Sequence, residues 1–528
     1  MADTTPGATT KFNGRLALLL AMAMFVLVVD TSIMNVSISA VVRDLDTTVS
    51  GVQGAIALEA LVSAAFILIG SKTADLIGRK LAYILGLLGY AIGAVAMTLA
   101  QGLTAIIIFW AIIGGIGASL LLPSMQALIH GNFSGDQQKR VYALVGASAA
   151  IAAAVGPLLG GFITTFLSWR VAFGLEAVII AVVLSGIKLV KDVPYTGSRV
   201  VDWTGAALSV VGMGGIVLGI LVWQEGGQYV GLLIGIGVIA MAGLVWWLRD
   251  RKRRERATLI DPALFRSKVF RAGVSGQLLQ QVALGGTMIV LPIYLQMVLE
   301  YNALWAGISI APLSLSMFVV ALLAGKRLKN RPSNIILTGF SLLVVGLAAL
   351  VPIVPRADSG WWLTVPLIIA GCGLGLLVSQ LNNYTLSPVS DERVSEAAGV
   401  NSAAGSFGLS FGLAFAGAIM LAVLAFTFTA RAESSTVLPP EDQDRVAVAL
   451  EEDAQLMSNT QLEELLADEP PEVQDEVIAI NEESRPIALQ VALFIPILAG
   501  VLGILNALRM RRLPDPKQSA AVEGLSLG

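Results

Sequence analysis

The chain is written in long apolar blocks separated by short polar ones. The blocks are roughly 20 residues long, enough for each to cross the hydrocarbon of a bilayer as a helix. About 14 of them recur, at 15–40, 50–70, 81–100, 104–128, 141–166, 171–190, 204–223, 229–248, 272–298, 304–325, 334–354, 361–387, 399–429 and 487–508. A backbone in lipid must satisfy its own polar groups, which leaves helices or closed barrels. Long continuous apolar runs argue against the short alternating strands of a barrel. The pattern predicts an all-α polytopic membrane protein. Its first block is too long for a signal peptide, lacks a clear small-residue cleavage site and leads at once into a second block, so it is read as a helix.

Composition agrees. Of 528 residues 56% are hydrophobic and 13% charged, with a mean hydropathy of +0.79. The single cysteine, Cys372, lies inside a predicted span and can form no internal disulfide. His130 is the only histidine, which argues against a histidine metal cluster or a histidine proton relay, and neither cofactor nor metal is expected. With the N-terminus inside, about 28 of the 34 Lys and Arg residues face the cytoplasm, most densely from Arg249 to Arg271. Arg43, Arg170, Arg356, Arg431, Arg445 and Arg485 fall outside. That bias predicts an even number of spans with both termini cytoplasmic. The pI of 5.5 then reflects an acidic exterior, and no nucleic-acid partner is indicated.

Spans 1–6 and 9–14 form two sets of six, with spans 7 and 8 expected to pack outside them. The boundaries are placed at 1–191, 192–256 and 257–528, and the junction before span 7 reads "KDVPYTGSRVVDW". One outer segment, 431–486, differs in composition, with 16 acids against 3 arginines. "TQLE" at Thr460–Glu463 has capping-box spacing, Pro470-Pro471 ends one helix and begins another, and Val473, Val477 and Ile480 repeat at helical spacing. Two or three short surface helices are expected there, too repulsive for a large core and dispensable for the fold. The segment reads either as a solvated linker or as a lid or docking surface.

Three stretches carry mechanism. "GSKTADLIGRK", Gly70 to Lys80, lies at a cytoplasmic turn. Gly70 and Gly78 permit close approach and a tight turn, Asp75 can cap a helix or pair with a basic group across an interface, and Arg79 and Lys80 hold the turn inside. In "AAAVGPLLGGFITTFLSWR", Gly156-Pro157 frees a carbonyl and can bend span 5, while Gly160-Gly161 permits tight helix contact. "VLVVDTSIMNVS" puts Asp30 in an apolar block with no basic residue within ten positions. A charge at membrane depth is costly and marks a functional site by default.

These stretches resemble the major facilitator superfamily. Gly70–Lys80 is similar to its cytoplasmic signature loop, with Thr73 for the usual leucine and Leu76 for the usual basic residue. Gly156, Pro157, Gly160 and Gly161 resemble the antiporter motif of drug:proton exporters. Asp30, Thr31, Ile33, Asn35 and Val36 match the first-span motif of the fourteen-span branch, and Val290–Leu313 also looks like that branch. The resemblance implies two six-helix bundles plus two additional helices, in the inner membrane of a bacterial cell. It implies an alternating-access exporter, read as a monomer, moving small hydrophobic or cationic substrates against protons among membrane lipids. Gly70, Asp75, Gly78, Arg79 and Lys80 would form its conformational switch. The span-4 arginine that the family associates with proton transfer is Ala111 here.

Three acids, Asp30, Glu59 and Glu176, lie roughly 8–10 residues deep by counting from the outer ends. They are the candidate proton-coupling residues; Asp30 and Glu59 are expected to share one proton, and for Glu176 a structural hydrogen bond is the competing reading. Asn35, Gln277, Gln281, Gln296 and Asn382, with neighbours Gln280 and Asn383, are candidates for the substrate cavity or for interhelical hydrogen bonds. Three functions remain open: an exporter of amphipathic small molecules, a lipid or cell-envelope precursor transporter of the same fold, and a non-transporting scaffold or sensor. Enzyme activity is not expected, because no nucleophile–base pair or phosphate loop is present.

Overall fold

The computed structural model describes residues 13–192, 201–327, 331–389, 393–435, 437, 459–467 and 470–514. Fourteen helices among them are long and apolar enough to cross a membrane. They are α1 (Gly14–Val36), α2 (Val49–Ile77), α3 (Arg79–Leu99), α4 (Leu103–Asn132), α5 (Gly135–Phe166), α6 (Trp169–Ser185), α7 (Trp203–Gln224) and α8 (Val230–Arg253). The rest are α9 (Lys268–Val298), α10 (Ala303–Arg327), α11 (Pro332–Ile353), α12 (Thr364–Leu386), α13 (Val394–Ser434) and α14 (Pro471–Arg511). Several begin where a side chain accepts from an orphan backbone N–H: Asn13 from Leu16, Thr48 from Gly51, Asp202 from Gly205 and Ser267 from Phe270.

Helices α1–α6 pack as one bundle and α9–α14 as the other. The bundles meet along two seams, α2 with α13 and α5 with α10. The second seam depends on missing side chains: a Cβ at Gly161 would lie 2.5 Å from the Ala303 carbonyl oxygen, and one at Gly307 2.2 Å from that of Pro157. Only glycine lets the two backbones touch there. Helix α5 runs on through Pro157.

Helix α7 rests across the first seam, against both α2 and α13, while α8 packs on α7. Gln224 Nε2 of α7 donates to the Ala414 carbonyl of α13 at 2.5 Å. At the other end the buried Asp202 accepts from Trp247 Nε1 at 3.0 Å and Leu259 N at 3.3 Å, and faces Arg251 at 3.7 Å. Beyond it Asp261 binds Lys252 at 3.0 Å and Arg393 at 3.1 Å, and its N–H donates to Glu396 of α13 at 2.6 Å. The extra hairpin is thus stapled to the second bundle. Most of the junction before α7, residues 193–200, lies outside the described residues.

The outer segment differs from expectation. Helices α13 and α14 are each 41 residues long. At 1.5 Å per residue that is about 60 Å, against a hydrocarbon core of about 30 Å, so the pair projects well beyond the membrane. Pro471–Pro486 is not a surface helix but the first part of α14. Val473, Val477 and Ile480 close a small core with Phe428 and Ala432 of α13 and with Leu462. Apolar packing on a neighbouring helix offsets the bond lost at Pro486. One short helix, Asn459–Leu465, is found among the described residues, and its Thr460 hydroxyl is not a cap but donates to Glu300 at 2.9 Å. Residues 438–458 lie outside those described.

Candidate functional site

Three acids converge inside the first bundle. Asp30 (α1) is 1% exposed, and Glu59 (α2) and Glu176 (α6) are also buried. Asp30 lies within electrostatic reach of both glutamates. Its partners were not foreseen: Trp110 Nε1 donates to both carboxylate oxygens, at 3.0 and 2.9 Å, and the Tyr90 hydroxyl donates to Oδ2. None of these partners is basic. Asp30 therefore faces α3 and α4 within the bundle, not an open central cavity. Oε1 of Glu176 is buried with no hydrogen-bond partner among the described residues, so the structural bond weighed for it is not seen at that atom.

Trp110 reaches Asp30 from a π-helical stretch of α4, Ile106–Gly114, whose wider turn changes the helical register. Ala111 follows it, fully buried and too short to contact a carboxylate. Trp110 packs edge-on to Phe173, and Phe173 edge-on to Trp169, with centroids 6.4 and 6.0 Å apart. The indole is held by this stack.

A second polar site closes the seam between bundles. Gln296 of α9 accepts from the Ser39 N–H at 3.1 Å and the Ser39 hydroxyl at 2.6 Å, and its amide donates to the Asn35 carbonyl at 3.5 Å. Leu304 N donates to Thr165 Oγ1 at 3.0 Å, and Ser410 Oγ to the Ala57 carbonyl at 2.6 Å. These contacts lie toward the face opposite the Gly70–Lys80 loop. On that face the two bundles are joined. Asn35 and Gln296 are thus brought together, while Gln277 and Gln281 face Gly405 and Gly408 of α13, and Asn382 accepts from Asn401 at 3.2 Å. Gln280 and Asn383 are buried, and Ser387 donates to the Asn383 side chain at 3.0 Å.

The signature loop is compact. Asp75, in the last turn of α2, pairs at 3.5 Å with Arg79, the first residue of α3, across the Gly78 turn that joins the two helices. Gly78 takes φ of +101°, and the turn it makes lets Lys80 N donate to Asp192 at 3.1 Å and Lys80 Nζ to the Val190 carbonyl at 2.7 Å. A Cβ at Gly70 would lie 2.4 Å from the Ser119 carbonyl of α4. The motif glycines of α5 divide their work: Gly156 and Gly160 lie on α1, Gly161 on α10.

Sequence reasoning missed Tyr90, Trp110, Ser39 and Arg485. Aromatic residues in apolar spans give no signal apart from packing. Arg485 did give one, as a base among acids on the outer side, yet its burial depends on distant partners.

The description Major Facilitator Superfamily fits residues 20–413, and the chain belongs to that superfamily. It is similar to the probable actinorhodin transporter of Streptomyces coelicolor, 26% identical over 413 residues that cover 76% of this chain and 71% of that one. It is also similar to multidrug resistance protein 3 of Bacillus subtilis, 28% identical over 440 residues covering 79% and 81%. A crystal structure of a bacterial homolog of the human lysosomal transporter Spinster, inward-facing and unoccupied, aligns with a TM-score of 0.60 at 13% identity, over 97% of this chain and all of that one. A peptide transporter in complex with sulfate aligns at 0.58 and 14% identity, covering 95% and 96%. The likeness to these structures shows the fold. The protein is a fourteen-span, multi-pass membrane transporter and not an enzyme.

Proposed function

We propose that the chain exports amphipathic small molecules, cationic or neutral, in exchange for protons by alternating access. The observation that carries this reading is the buried trio Asp30, Glu59 and Glu176, which has no basic partner among the described residues, inside a transporter fold. Carboxyls at membrane depth are costly and serve as proton carriers, and these three can exchange protons when water reaches them. A cationic substrate favours the ionised state and displaces a proton. Relatives named for drug and antibiotic transport support the substrate class.

The count of basic residues supports cytoplasmic termini in a bacterial inner membrane. On that topology the Gln296–Ser39 seal closes the outer mouth, and Gly70–Lys80 acts at the inner one. Asn35 and Gln296 then alternate between sealing the mouth and lining the cavity beside Gln277, Gln281 and Asn382. The domain boundaries near 191 and 256 fit this two-bundle scheme. Dye efflux from proteoliposomes under an imposed pH gradient tests the proposal. Efflux should require the gradient and acidify the lumen from which the dye leaves no further than exchange demands. Flux indifferent to the gradient points to facilitated or lipid transport, and absence of flux to a scaffold.

A further inference from the structure

We propose that Tyr90 and Trp110 are positioning residues for Asp30, two neutral donors that take the place of a basic partner on α4. The inference rests on the proton-exchange reading for its use in transport, but the geometry stands apart from it. The single N–H of Trp110 is shared between both oxygens of Asp30, and Oδ2 also accepts from the Tyr90 hydroxyl. A carboxylate removed from water is retained only when hydrogen bonds or a counter-charge replace its hydration. Ala111 can supply neither. The titratable groups within electrostatic reach of Asp30 are Glu59 from α2, Tyr90 from α3 and Glu176 from α6. Tyr90 and Trp110 supply the hydrogen bonds that replace its hydration.

The donors are also fixed in place. Tyr90 and Trp110 are 4% and 2% exposed, and the indole packs edge-on against Phe173. The π-helical stretch is the backbone feature that aims Trp110, and such stretches recur at functional sites. When Asp30 releases its proton, the carboxyl O–H breaks and the proton passes to water. Trp110 and Tyr90 keep their own hydrogens and close on the two oxygens left behind. On reprotonation the Tyr90 hydroxyl, which both donates and accepts, turns to accept from the new O–H. An arginine would hold the same oxygens but also its charge, and would bind the anion whichever way the cavity faced. Neutral donors favour the anion without locking it.

The test separates a positioning role from packing. Tyr90→Phe removes one hydroxyl and keeps the ring; Trp110→Phe removes the N–H and serves as the second variant. Difference infrared titration, each protein minus its Asp30→Asn counterpart, reads the protonation of Asp30 without any transport. Its midpoint should move to higher pH by roughly one unit in each variant, since loss of a donor disfavours the ionised form. The pH profile of gradient-driven efflux should move the same way, with substrate affinity within about twofold of the parent. A shifted midpoint in a protein that shows no gradient-driven flux would keep the positioning role and remove the exchange reading. An unshifted midpoint in assembled Tyr90→Phe and Trp110→Phe overturns the proposal.

Discussion

The guanidinium of Arg485 donates to the main-chain carbonyl of Met297 at 2.5 Å, joining the projecting part of α14 to the end of α9. Arg485 is 2% exposed and also donates to Asn459. Close by, Glu300, held at φ of +52°, accepts from the N–H groups of Asn459 and Thr460 at 2.8 and 3.3 Å. The acidic outer segment is therefore clamped to the loop that follows α9. Met297 is the next residue after Gln296, so the clamp and the seal between bundles share one turn.

Arg485→Met keeps the bulk but removes the donors and the charge. Met297 and Asn459 lose partners, and Glu300 and Glu482 lose a basic neighbour. A loss of about 2–3 kcal/mol is expected for this local structure. Limited proteolysis should then cut near 459–470 faster while the membrane helices stay assembled. Unchanged protection would show that the segment is held by its apolar core alone.

Gln296→Leu should loosen the seal. It removes the two Ser39 bonds, at about 1 kcal/mol each, and so moves the balance toward the open mouth by roughly thirtyfold. Spin labels on Asp46 and Arg356, in a Cys372→Ser background, report the gap by pulsed resonance distances. The long-distance population should grow. An unaltered distribution would remove Gln296 from the seal.

Gly307→Val acts on the same mouth by sterics. With 2.2 Å to the Pro157 oxygen, a side chain forces α10 off α5. The variant should assemble, show only the long label distance and lose turnover. Normal turnover would mean that the seam need not close that tightly.

The staple at Asp261 sets a pH dependence. Burial raises the cost of its charge, but the Ala263 N–H, Lys252 and Arg393 outweigh it and hold the carboxyl below its ordinary value of 3.8. A group depressed on folding stabilises above its unfolded value, and that contribution disappears as pH falls through the folded one. Lys252 and Arg393 are 47% and 44% exposed, so screening limits the effect to below about 1 kcal/mol. Asp261→Asn, which keeps an acceptor for Ala263, should melt lower than the parent at pH 7. The gap should close below about pH 4. A constant gap would assign it to packing.

The spans were legible because lipid demands about 20 apolar residues in a row, and Asp30 because a lone charge stands out in such a row. The family motifs followed from short, local spacings. Tyr90 and Trp110 were not legible, since nothing local says which aromatic side chain turns inward to an acid. The length of α14 was hidden by Pro486, which reads as a stop until α13 supplies an apolar face. The pairing of Asp75 with Arg79 depends on the turn at Gly78, whose φ of +101° the spacing of the two residues does not announce.

If Asp30 couples substrate export to proton entry, as proposed, Asp30→Asn should uncouple the two. The change keeps size and one acceptor oxygen and removes titration. In proteoliposomes with an imposed pH gradient the variant should bind substrate and exchange it at equilibrium, yet fail to move it uphill, while Glu59→Gln weakens uphill transport less. An Asp30→Asn protein that pumps against a gradient as well as its parent would contradict the account.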